Sequence, residues 1–143
     1  VSSGLAYGLM KRKNKRKIIC LIGDQELMEG TTWESLHIIS NYKIKNIIII
    51  IDRNNSDFRS IKFIKLKKRL SVFCDKISEL DGHNIKLLEK VISKAITNQK
   101  SFEIIIANTI KGKGIRSIEN NPEWHHKAPS TEEMKNFKTE LKI

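Results

Sequence analysis

Three short apolar runs constrain this chain more than any other feature. They are "IICLI" at Ile18 to Ile22, "IIIII" at Ile47 to Ile51, and the "FEIIIANT" stretch from Phe102 to Thr109. Each is strand-length and rich in β-branched residues, and each is apolar at successive rather than alternate positions. That pattern belongs to strands covered on both faces, as in a parallel sheet between two helical layers. Helical signals separate the runs, so the expected class is α/β, with a parallel sheet and flanking helices.

Ser2 to Met10 reads as the end of a small-residue helix in which Gly4 and Gly8 would permit close packing. After the first strand, Thr31 or Thr32 can cap a helix running to about Tyr42, with Glu34 in its first turn. In that helix Trp33, Leu36 and Ile39 (or Ser40) recur at helical spacing, which makes Trp33 a packing residue. Arg59 to Lys68 lacks a clear period. A short helix and then a weak strand near Lys76 to Leu80 follow, closed by the Asp81-Gly82 turn. Asn84 can cap a helix from Ile85 to about Asn98, whose Leu87, Leu88, Val91, Ile92, Ala95 and Ile96 make one apolar stripe. After a long loop, Ser130 or Thr131 can cap a terminal helix from Thr131 to Leu141, with Glu132 and Glu133 in its first turn.

Polar clusters follow the apolar runs: "GDQ", "DRNN" and "IKGKG". Ligands of such sheets bind beyond the carboxyl ends of the strands, so the three clusters are expected at one edge. Asp24 and Asn54 lie thirty residues apart, each just past a strand. A carboxylate and an amide oxygen are hard ligands that suit Mg²⁺ or Ca²⁺, especially beside phosphate oxygens. Each residue also has a local reading, Asp24 as a turn cap and the Asn pair as a bend.

The charge of +11 raises nucleic acid as a partner. "KRKNKRK" (Lys11 to Lys17) and "KFIKLKKR" (Lys62 to Arg69) carry much of it. No zinc-ligand, helix-turn-helix or RNA-recognition signature accompanies the charge, and loops or solvated helix faces account for both runs, so nucleic acid is not the expected partner. No apolar run reaches the roughly 18 residues a membrane helix needs. The basic residues follow the first apolar stretch rather than precede it, the reverse of a signal peptide. Cys20 and Cys74 lack ligand-type spacing and read as free thiols, and the expected compartment is the cytoplasm.

"GDQELMEGTTWESLHIISNYKIKNIIIIIDRNN" resembles the thiamine-diphosphate signature, Gly-Asp-Gly followed about thirty residues later by Asn-Asn. The "EG" and "WE" after Gly-Asp, "DGHN", "ANTIKGKG" and "NPEWHHKAPS" are similar to transketolase in its N-terminal or small-subunit form. The likeness runs from about residue 1 to Ser130 and is weakest between Asp57 and Ser71. It implies a partial thiamine-diphosphate-binding domain over 1–130 and a C-terminal helical extension over 131–143.

The resemblance implies a set of roles. Asp24, Asn54 and the main-chain carbonyl of Ser56 would hold the metal, which holds the diphosphate, with the Gln25 amide contacting that diphosphate. Glu29 and Glu34 would lie near a dimer interface linking two cofactor sites, and His125 beside the thiazolium and the substrate. Without the resemblance, Glu29 and Glu34 read as helix-start charges and His125 as a loop histidine. Lys111 and Lys113 either neutralise phosphate or belong to a solvated loop. His83 reads as a turn residue, His37 as a helix-surface or packing residue, and His126 has no role. The implied activity is transfer of a two-carbon ketol unit between sugar phosphates, as in the pentose phosphate pathway, dependent on thiamine diphosphate and Mg²⁺ (or Ca²⁺). The implied partner is a transketolase C-terminal subunit or chain carrying the pyrimidine domain, in a homo- or hetero-oligomer.

The pattern departs from the family's in four respects. The segment with its Gly-rich loop and upstream histidines is expected before Val1, and the pyrimidine and C-terminal domains are expected elsewhere. Gln25 replaces a Gly, which demands backbone angles open to a residue with a Cβ. His126 replaces the Gly after His125, and "NNSDFRS" lacks the usual Asp-Gly. Activity of the chain alone is therefore not expected, and a non-catalytic relic or interaction protein is the alternative.

Overall fold

The structure is a computed structural model that describes residues 1–55 and 63–143. Four strands form one parallel sheet: β1 (Ile18–Gly23), β2 (Ile47–Arg53), β3 (Ile77–Asp81) and β4 (Glu103–Asn108), in the order β1-β2-β4-β3. The helices are α1 (Ser2–Lys11), α2 (Gly30–Asn41), α3 (Leu66–Leu70), α4 (Ile85–Thr97) and α5 (Thr131–Leu141). Among the described residues, the 3-10 turns Gln25–Met28 and Pro122–His125 lie in the connections.

The period-two alternation of the strands divides their isoleucines between two cores. Ile47, Ile49, Ile51, Ile104 and Ile106 face Leu36 and Ile39 of α2, Leu66 and Leu70 of α3, and Ala6 of α1. Ile48 and Ile105 face the opposite way, against Leu80 and Ala95, with Leu88, Val91 and Ile92 of α4 packed on them. The expected strand near Lys76 is β3, which pairs with β4 at the sheet edge.

The expectation that Ile18 to Ile22 is covered on both faces does not hold. Ile19 is 47% exposed and Leu21 69%, because β1 is an edge strand and α4, the helix packed on that face, lies over β2, β3 and β4 and does not reach β1. Gly4 and Gly8 also differ from expectation, since a Cβ added to either would meet no heavy atom within 4 Å. Close packing at α1 instead involves Ala6, which is fully buried.

Capping follows the expectation at two helices out of three. The Asn84 side chain accepts from the Leu87 N–H at 3.0 Å, and Ser130, rather than Thr131, closes a reciprocal capping box with Glu133. At α2 the N-cap is Glu29, and its side chain makes no capping bond. Thr32 donates instead to the Glu26 carbonyl at 2.7 Å, and the early start of the helix takes Glu34 out of its first turn. Trp33 packs as expected, its ring beside Phe63 and Phe73 and its Nε1 donating to the Leu27 carbonyl. Within the α4 stripe, Leu87 and Ile96 remain partly exposed while Ala95 is buried.

Cys20 and Cys74 are both free. Burial pushes the Cys74 thiol up to about 11, so it behaves as a small apolar side chain. The basic loop between α1 and β1 is solvent-exposed at the amino end of the sheet, opposite the edge where the polar clusters gather. Among the described residues no helix is long and apolar enough to cross a membrane.

The asymmetry between the two faces gives a direct test. Ile105→Ala, at a site with no solvent exposure, is expected to cost about 2–5 kcal/mol in urea denaturation. Leu21→Ala on the uncovered face should stay within about 0.5 kcal/mol.

Candidate functional site

Parallel pairing aligns the carboxyl ends of the strands. Gly23 is opposite Asp52, Asp52 opposite Ala107, and Asp81 opposite Asn108. The residues that follow are therefore brought to one edge: Asp24 and Gln25 after β1, Asn54 and Asn55 after β2, Gly82 and His83 after β3, Thr109 to Lys111 after β4. An open cleft of about 560 Å³ lies there, lined among others by Leu21, Asp52, Asn54, His83, Thr109 and Lys111.

Asp24 begins the 3-10 turn Gln25–Met28, yet its side chain makes no capping bond to that turn. Its Oδ2 instead accepts the Asn55 backbone N–H at 2.7 Å, across thirty-one residues of sequence. The local reading of Asp24 as a cap is thus set aside in favour of a bridge between two strand ends. The bend reading of the Asn pair does hold in part, since Asn55 is left-handed with φ 49°. Asn54 sends its Nδ2 towards Asp52 Oδ2 at 3.5 Å.

Gln25 is half-buried and is not among the residues with positive φ. A Cβ is therefore tolerated at this position, and the backbone requirement raised by the sequence is met. Glu29 and Glu34 are both exposed, at the start and in the body of α2. Ser56 lies outside the described residues.

His125 closes the 3-10 turn Pro122–His125, and its Nδ1 lies 2.7 Å from Lys111 Nζ. An ammonium has only donors, so it assigns Nδ1 as the acceptor and leaves the ring proton on Nε2. His125 is thereby presented as an Nε2–H donor. His126 stacks edge-on against it at 4.4 Å and is exposed. Lys113 pairs with Glu119 at 3.7 Å, so of the two loop lysines it is Lys111 that joins the site residues.

The structure brings in residues whose part the sequence did not signal. His83 does more than turn the chain: its Nε2 accepts the Ile110 N–H at 2.8 Å, and its own N–H donates to Asp81 Oδ1. The Thr109 hydroxyl donates to Asp52 Oδ1 in a short contact. The Asp24 N–H donates to the Asp52 carbonyl at 3.0 Å, and the Thr109 N–H to the Arg53 carbonyl at 3.0 Å. Gly82 makes the tight approach possible, its N–H donating to the Asn108 carbonyl at 2.7 Å. A Cβ there would fall 2.4 Å from Thr109 Cγ2. The signal for Asp52 was present as the acid inside "DRNN", but only pairing across the sheet reveals its partners.

The donor set fits a hard divalent cation bound together with phosphate. Asp24 carries a second carboxylate oxygen besides the one that accepts Asn55, and Asn54 is an amide side chain at the end of the adjacent strand. Among the described residues no group of three or more His, Cys, Asp or Glu could hold a metal.

Over residues 11–143 the sequence matches the family described as transketolase, thiamine diphosphate binding domain. The chain belongs to that family. An apulose-4-phosphate transketolase subunit from Actinobacillus succinogenes is 38% identical over 149 residues, taking in 99% of this chain and 53% of that protein. Transketolase of Homo sapiens is 35% identical over 130 residues, 87% of this chain and 20% of that protein. A crystal structure of transketolase from Campylobacter jejuni superposes with a TM-score of 0.86 at 26% identity, over 99% of this chain and 24% of that one. This transketolase-family chain thus spans about half the length of the first relative and about one fifth of the second.

The Gly82 contact is testable. Gly82→Ala is expected to cost about 1–3 kcal/mol in urea denaturation, as overpacking against Thr109. Adding Thr109→Ser, which removes the clashing methyl, should recover part of the loss in a double-mutant cycle.

Proposed function

We propose that this chain is the diphosphate-anchoring part of a transketolase-type transferase that moves a two-carbon ketol unit between sugar phosphates. It would work with Mg²⁺, or Ca²⁺ in its place, and thiamine diphosphate, in the cytoplasm. The observation that carries this reading is the bridge from the Asp24 carboxylate to the Asn55 N–H, which sets the acid beside Asn54 at the ends of two adjacent strands. Membership of the thiamine diphosphate binding domain family supports it.

In this reading Asp24, the Asn54 amide oxygen and the main-chain carbonyl of Ser56 hold the cation, while the Gln25 amide binds diphosphate. The cofactor, when bound, supplies the carbon nucleophile and electron sink of the transfer. His125 offers its Nε2–H to oxygens of the substrate that gain negative charge, and Lys111 keeps the imidazole in that tautomer. Glu29 and Glu34 lie on an exposed stretch suited to contact with a second chain.

A transketolase C-terminal subunit or chain supplies the pyrimidine-binding domain, and residues 1–143 are inactive without it. The Actinobacillus relative is by its name one subunit of a transketolase, which supports that division. Residues 1–130 form the cofactor-binding part, and residues 131–143, which hold α5 (Thr131–Leu141), are an extension whose Phe137 packs on Trp124.

Calorimetric titration tests the proposal. Thiamine diphosphate should bind in the presence of Mg²⁺ and not in excess EDTA. Asp24→Asn should weaken binding at least ~10-fold by replacing an anionic ligand with a neutral one. Absence of Mg²⁺-dependent binding, with and without a transketolase C-terminal subunit, would instead favour a non-catalytic member of the family.

A further inference from the structure

The terminal helix α5 buries one side chain, Phe137, which is 7% exposed and belongs to neither of the two cores of the sheet. The Phe137 ring meets Trp124 edge-on, with centroids 5.1 Å apart. Trp124 immediately precedes His125 in the turn Pro122–His125. The apolar contact of α5 is thus made with the turn that carries His125.

Charged groups hold the same turn. Lys127 Nζ lies over the Trp124 ring at 4.3 Å and pairs with Glu133 of α5 at 2.5 Å. Hydrogen bonds from Lys127 and Ser130 push the Glu133 carboxyl down to about 2, so the pair is charged at neutral pH. Trp124 is therefore fixed by one ring that belongs to α5 and by one ammonium tied to α5. Near the end of the helix, Glu140 Oε2 accepts the Ser117 N–H at 3.3 Å, a second hold on the loop that leads to the turn.

The two halves of the Lys111–His125 pair are anchored differently. Lys111 follows Ile110, whose N–H is bound by His83 at the end of β3, and its own carbonyl accepts the Asn120 N–H at 3.0 Å. Among the described residues, no hydrogen bond joins residues 121–127 to a strand. Their bonds run within the turn, to the Ile118 carbonyl, to Lys111 and to Glu133 of α5. The 2.7 Å contact from Lys111 Nζ to His125 Nδ1 therefore joins a group held by the sheet to a group held by the helix.

We infer that α5 positions His125, with Phe137 and Trp124 as the positioning residues that hold its imidazole against Lys111. This inference rests on the reading of His125 as a hydrogen-bond donor to the substrate. Without Phe137 the turn is free to move as a unit, and His125 leaves the ammonium that fixes its proton on Nε2. A neutral imidazole with no such partner populates both tautomers, so the donor itself is lost along with its place. Displacement of a reacting group by about 1 Å is enough to cost ~100-fold in rate.

The experiment has two arms on the full chain. In the first, ¹⁵N NMR of the histidine ring nitrogens compares wild type, Lys111→Met, Phe137→Ala, Phe137→Leu and Lys127→Met without cofactor, with thermal melts confirming folding. Wild-type His125 is expected to carry its proton on Nε2. In Phe137→Ala, and to a smaller extent in Lys127→Met, the His125 nitrogens should move towards their positions in Lys111→Met, while Phe137→Leu, which keeps the apolar bulk, stays near wild type. The His83 ring, bound to the Ile110 N–H, should not move, which separates release of the turn from general loosening. Unchanged His125 nitrogens in folded Phe137→Ala overturn the inference, and if that variant does not fold, unchanged nitrogens in Lys127→Met overturn it. In the second arm, the chain is combined with a transketolase C-terminal subunit, Mg²⁺ and thiamine diphosphate, and ketol transfer is followed. Phe137→Ala is expected to lower kcat ~10–100-fold with cofactor affinity by calorimetry unchanged, and Phe137→Leu to stay close to wild type. Equal kcat of Phe137→Ala and wild type also overturns it. If wild type transfers nothing, the proposed function fails for this chain, while the first arm still decides whether α5 positions His125.

Discussion

The parallel pairing of β2 with β1 on one side and β4 on the other is the constraint on which the site depends. Side chains alternate faces along a strand, but carboxyl ends in a parallel sheet all point one way. Pairing Ile47 to Ile51 with both neighbours therefore does two things at once. It buries the isoleucines of two cores, and it delivers Asp24, Asn54 and Thr109 to one edge from distant parts of the chain. The energy of assembly lies in the apolar strands, and the polar residues are carried to their places by it.

At that edge the polar groups are linked to one another more than to their own turns. Asp24 reaches Asn55, Asp52 reaches Thr109 and Asn54, and His83 reaches the Ile110 amide. These contacts span 2 to 57 residues of sequence. Cross-links of this kind hold the strand ends in fixed relation to one another, which lowers the ordering cost of binding at such an edge. The opposite pattern holds at α5, where a local capping box does the organising.

The uncovered face of β1 is the other consequence of the strand order. Among the described residues one helix, α4, serves that side of the sheet, and it sits over β2, β3 and β4. Ile19 and Leu21 remain open to solvent beside the cleft. The solved transketolase with which the chain superposes is about four times its length, so this domain in its relatives is set among much further protein.

Much of the fold was legible in the sequence because it follows from local physics. Successive β-branched residues announced the strands, helical spacing announced α2 and α4, and Asn84 and Ser130 announced two caps. The order of motifs also placed Asp24, Asn54 and His125 as candidates and assigned the family. What the sequence could not reveal were relations between strands. The edge position of β1 exposes Ile19 and Leu21, although their run reads like the central one. The early start of α2 shifts Glu29 and Glu34 relative to their helix. The Asp52–Thr109 and His83–Ile110 links form only across paired strand ends. The residue pattern alone determined which segments are strands and helices, since that depends on neighbours a few positions apart. Tertiary structure alone decided the links of Asp24 to Asn55, Asp52 to Thr109 and His83 to Ile110, because those partners lie 27 to 57 residues along the chain and meet only when the sheet closes.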